Sequence, residues 1–75
     1  GSAEAFVAAT ERLREAALAL FATQQSARKA EIMAHWADHG LDAPSAGRYA
    51  SVMREFAHQP KQNGAWALKS GDGTL

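Results

Sequence analysis

Three helices followed by a C-terminal β-hairpin, a mainly α (small α+β) domain, are what this 75-residue chain predicts. Two observations lead there. Apolar residues recur at three- and four-residue intervals through three separate segments, and after Pro60 the period changes to strict alternation. A third observation sets the scale: 18 of the 35 hydrophobic residues are Ala, which leaves 17 larger side chains for one small core. With no Cys, neither a disulfide framework nor cysteine-ligated zinc is available to support it.

The first helix is predicted from Ala3 to about Thr23, where Phe6, Ala9, Leu13, Ala16, Ala17, Leu20 and Phe21 form the main stripe. Val7 and Leu18 lie off it. With so few large apolar residues, burial of both under the hairpin is favoured over exposure in a dimer seam. Thr23 to Ser26 reads as a short connection. A second helix, about Arg28 to His39, carries Ile32, Met33 and Trp36 on one face, and Gly40 ends it, with Leu41 placed for the apolar contact of a glycine cap. Asp42-Ala43-Pro44-Ser45 supplies an N-cap side chain and a first-turn Pro. The third helix, from Pro44 or Ser45 to His58, has the clearest pattern, with Tyr49, Val52, Met53 and Phe56 at i, i+3, i+4 and i+7. Its opposite face holds Gly47, Ser51, Arg54 and His58, flanked by Arg48 and Glu55.

In the hairpin, Trp66 and Leu68 point one way and Ala65, Ala67 and Lys69 the other, after an Asn63-Gly64 pair suited to a type I′ turn. The partner strand is either His58 to Gln62 or Thr74-Leu75. Gly1-Ser2 reads as the scar of a removed expression tag, residues 3–69 as the domain, and 70–75 as a linker or truncated wing strand. The shared core is expected to contain Phe6, Leu13, Leu20, Phe21, Ile32, Met33, Trp36, Tyr49, Val52, Met53, Phe56, Trp66 and Leu68.

Eight Lys and Arg balance eight Asp and Glu, but residues 1–44 carry −2 and residues 45–75 carry +2. Neutrality argues against a strongly basic nucleic-acid binder, while the asymmetry makes the third helix and hairpin the cationic end. Absence of a long apolar run points away from the membrane, and a soluble cytoplasmic domain is expected. No nucleophile elbow surrounds Ser26, Ser45, Ser51 or Ser70, and Gly71-Asp72-Gly73 opens no helix, so no catalytic residues and no cofactor are assigned. His35 and His39 stand at i, i+4 with Asp38 beside them, but without the Glu that metalloprotease chemistry needs, and no metal site is assigned.

This order of elements resembles the winged helix-turn-helix superfamily over nearly the whole chain, from Phe6 to Lys69. The likeness is one of order and spacing: Lys29-Ala30-Glu31-Ile32 opens the second helix, His39-Gly40-Leu41-Asp42 forms the turn, Tyr49 to Phe56 the third helix, and Gly64 to Lys69 the wing strand. The resemblance implies that the third helix enters the major groove of double-stranded DNA and that the hairpin touches the flanking backbone. On that reading Gly47 and Ser51 give close approach, and Arg48 and Arg54 pair with guanine or phosphate. Lys61, Asn63 and Lys69 touch the backbone, Arg28 and Lys29 add phosphate contacts, and Ser45 is counted among the nucleic-acid-binding residues. The expected function is a non-catalytic DNA-binding module of a larger protein of transcription regulation, replication or a mobile element. The alternative is protein docking or homodimerisation through the first helix, because the same fold serves both uses.

Overall fold

The computed structural model describes residues 1–60 and 63–69. Helices α1 (Ser2–Phe21), α2 (Lys29–Asp38) and α3 (Ala46–Phe56) are followed by two short strands, β1 (Ala57–His58) and β2 (Ala67–Leu68). The strands pair antiparallel, Ala57 with Leu68 and His58 with Ala67. The fold is therefore mainly α with a small C-terminal antiparallel hairpin, in a layout compatible with a winged helix. Among the described residues, no helix is long and apolar enough to cross a membrane.

Each helix ends for a local reason. Gly40 has φ +74, the left-handed conformation that a Cβ disfavours, and it closes α2. The Gly40 amide donates to Ala37 O at 3.0 Å and the Leu41 amide to Trp36 O at 2.9 Å, a Schellman pattern that satisfies two otherwise orphaned carbonyls. Ser45 caps α3, its hydroxyl accepting from the Arg48 amide at 3.2 Å, so Pro44 lies just before the helix rather than in its first turn. Helix α3 stops at Phe56, two residues short of the expected His58, because Ala57 turns extended to begin β1.

At the start of α2, the Glu31 carboxylate accepts from the Arg28 amide at 3.0 Å and from Gln24 Nε2 at 3.0 Å. The backbone bond, then the Gln24 bond, holds this carboxyl below its ordinary value. A depressed folded-state value means that the stabilisation is present above the unfolded value of 4.5 and is lost as pH falls through the folded one. Thermal unfolding of the wild type is thus expected to lose more between pH 7 and pH 3 than that of Glu31→Gln, which keeps an acceptor but does not titrate. Equal losses in the two proteins would contradict this.

The core is one cluster: Leu13, Ala16, Ala17 and Phe21 from α1, Ile32 and Trp36 from α2, Tyr49, Val52 and Met53 from α3, with Ala27, Ala57 and Trp66. Trp36, Ile32, Met53 and Val52 are its largest fully buried side chains, each contributing about 1.5–3 kcal/mol by burial. The Trp36 indole N–H donates to Leu13 O at 2.9 Å, tying α2 to the middle of α1. Edge-to-face pairs then run from Trp36 to Tyr49 (5.9 Å) and from Tyr49 to Trp66 (6.2 Å), one aromatic column through α2, α3 and the hairpin. Burial raises the Tyr49 phenol, offset in part by the neighbouring Trp66 side chain.

Several expectations are corrected. Phe6 is 58% exposed, not core: residues 2–8 of α1 are all exposed, and what meets the Phe6 ring from α3 is the guanidinium of Arg48. Val7 and Leu18 are exposed rather than buried under the hairpin, at 57% and 37%. Leu68 is likewise exposed, at 37%, in a strand β2 of only two residues. Asn63-Gly64 is not a type I′ turn: Gly64 has φ +80, but no non-glycine residue among those described has positive φ. Instead the Asn63 Oδ1 accepts from the Ala65 amide at 3.0 Å, a local turn within a longer loop. The partner strand comes from the His58 side, with Ala57 included. Thr74-Leu75 lies outside the described residues. A further pairing joins Ala27, in the connection after α1, to Trp66, through bonds of 3.0 and 2.8 Å.

Candidate nucleic-acid interface

The outer face of α3 is built by the stripe that buries its other side. With Tyr49, Val52 and Met53 fixed in the core, Gly47, Ser51 and Arg54 face solvent and only half-buried Ala50 lies between them. Adding a Cβ to Gly47 would meet nothing within 4 Å, so this glycine serves no packing inside the domain. The result is a ridge of small residues ending in one exposed cation.

Two contacts bring other cations to α3. Lys29, in the first turn of α2, holds its ammonium 5.2 Å from the centroid of the Tyr49 ring. Lys69, after β2, donates from Nζ to Arg54 O at 2.8 Å and covers the C-terminal end of α3, where a cation is favoured by the helix dipole. Arg28 is exposed next to Lys29. The one acidic residue on the flank, Glu55, leans toward α1, with its carboxylate 3.6 Å from Arg14 Nη1. That pairing reduces the negative potential beside Arg54.

Arg48 is placed differently from Arg54. Its guanidinium crosses to α1, where Nη2 donates to Phe6 O at 3.1 Å and to Thr10 Oγ1 at 2.8 Å, and its Cζ sits 4.4 Å from the Phe6 ring centroid. Ser45 uses its hydroxyl as the α3 cap and Asn63 its carbonyl oxygen in the loop. Lys61 lies outside the described residues. The other nine candidate positions therefore divide into exposed groups (Arg28, Gly47, Ser51, Arg54 and Asn63), cations already touching the fold (Lys29, Arg48 and Lys69), and a cap (Ser45).

The His pair behaves as a helix-end feature. The rings of His35 and His39 are 4.3 Å apart, and His39 Nδ1 donates to His35 O at 2.9 Å. Among the described residues, no group of three or more His, Cys, Asp or Glu is arranged to hold a metal. The holders of Arg48, Phe6 and Thr10, went unnoticed in the sequence, where no spacing links position 48 to positions 6 and 10. No family model, curated protein or solved structure matches the chain.

Proposed function

We propose that the chain is a non-catalytic DNA-binding module of winged-helix type, with α3 entering the major groove. The observation that carries this is the outer ridge of α3: Gly47 and Ser51 leave room for close approach, and Arg54 stands exposed at its end, with no ion pair among the described residues. Arg28 and Lys29 would meet phosphates near the start of α2, where the helix N-terminus also favours anions. Asn63 in the loop and Lys69 beyond it would touch the flanking backbone. Arg48 acts as a positioning residue, holding the first turn of α3 against α1.

A titration with duplex DNA at low salt, followed by amide chemical shifts, tests the proposal. Shifts are expected at Gly47, Ser51, Arg54 and the first turn of α2. Log affinity should fall with log salt at a slope of about −3 to −5, as four or five phosphate contacts require. Unchanged spectra with duplexes of mixed sequence, at concentrations of about 1 mM, well above typical non-specific dissociation constants, would overturn it.

A further inference from the structure

Helix α1 carries an exposed strip that the duplex proposal does not use. Val7 and Leu18 are eleven residues apart, close to three full turns, and so lie within about 20° of one line along the helix. Between them on the same strip are Glu11 and Arg14, both partly exposed, joined to each other by an ion pair. Ala3 and Ala22 continue the strip at its two ends, and both are exposed.

The order along this strip is self-complementary. An antiparallel copy of α1, related by a two-fold axis passing between positions 12 and 13, sets Val7 against Leu18 of the partner subunit. The same register sets Glu11 against Arg14 of the partner subunit, and Ala3 against Ala22 of the partner subunit. Every pair then occurs twice, as a two-fold interface demands: two apolar contacts outside, two opposite-charge contacts inside, small residues at the ends. Antiparallel helices also oppose their dipoles favourably. The apolar residues on this strip are exposed among the described residues, while the charges at its centre match a reversed copy of the same sequence.

We propose that α1 is the seam of an antiparallel homodimer in this register, its occupant being a second copy of the chain. The seam shares no residue with the proposed duplex surface, so either proposal can fail alone. One helix against its copy falls at the small end of specific interfaces, below about 1,200 Å², the range of weak and transient association.

Sedimentation equilibrium on the intact chain, from ~1 μM to ~1 mM, tests the register through charge reversal. The wild type should pass from monomer to dimer mass. Glu11→Arg alone places like charges together twice, as does Arg14→Glu alone, and each should weaken dimerisation at least about tenfold. An equimolar mixture of the two variants restores both opposite-charge pairs and should form a mixed dimer. Val7→Asp, at an exposed position, should also give a monomer, and it keeps the test open if Arg14→Glu disturbs the contact with Glu55. Monomer mass for the wild type throughout would overturn the proposal. So would a dimer that persists in Glu11→Arg and Val7→Asp, or a mixture of two folded variants that stays monomeric.

Discussion

Trp36→Ala is expected to abolish most of the cooperative stability of the domain. Trp36 is fully buried, and its indole touches three parts of the fold: Tyr49 in α3 edge-to-face, Leu13 O in α1 through its N–H, and the rest of the core cluster by packing. Truncating a buried Trp costs about 3–5 kcal/mol. A domain of this length has roughly 4–11 kcal/mol in total, and a core with so few large side chains belongs near the lower end. The thermal transition followed by circular dichroism should therefore broaden and fall by more than about 15 °C, at 4–8 °C per kcal/mol. Trp36→Phe keeps the ring contact and loses the hydrogen bond with part of the volume, so it should fall between the two. A Trp36→Ala protein melting within a few degrees of wild type would show that the aromatic column is not the centre of the fold.

The second large effect separates two arginines on one helix. Arg54→Ala removes an exposed side chain with no ion pair among the described residues, so stability should stay within about 0.5 kcal/mol of wild type. Duplex affinity should nonetheless fall about tenfold or more, the loss of one major-groove or phosphate contact. Arg48→Ala should do the reverse. It removes two hydrogen bonds to α1 and the stacking on Phe6, at about 1–2 kcal/mol of stability. Affinity measured well below its melting point should change less than about threefold, since the surviving fold still presents Arg54. Urea unfolding and fluorescence anisotropy on the same two proteins check both halves. Arg48→Ala with unchanged stability and lost binding would return its guanidinium to the DNA surface.

The three helices and the stop of α2 were readable in the sequence because each rests on chemistry local to a few residues, whereas α3 ends two residues before His58 because Ala57 turns into β1. The Tyr49, Val52, Met53, Phe56 spacing fixes the buried face of α3, and Gly40 is the residue that tolerates a left-handed cap. What the sequence hid depends on distance. Arg48 reads as a flanking charge by angle alone, but its long stem reaches across to Phe6 and Thr10, 42 and 38 positions away. Phe6 and Val7 fit an amphipathic pattern, yet both lie exposed in the first turns of α1. The pairing of Ala27 has no periodicity to read, since one residue cannot alternate. The ridge on α3 was legible as a surface; whether a duplex fits it is a property of the partner.

The pairing between Ala27 and Trp66 also bears on how the chain folds. The 38 residues between them include all of α2 and α3, so these two hydrogen bonds close the widest loop joined by the hairpin. Helices built from near neighbours form quickly, whereas a contact between distant residues must first overcome the entropy of bringing the ends together. The pairing of Trp66 at α1's exit is thus expected to form late, after the helices that dominate the architecture. Helix α1 stands outside that loop, so the segment proposed to assemble copies and the segment proposed to read DNA belong to topologically separate parts of one small core.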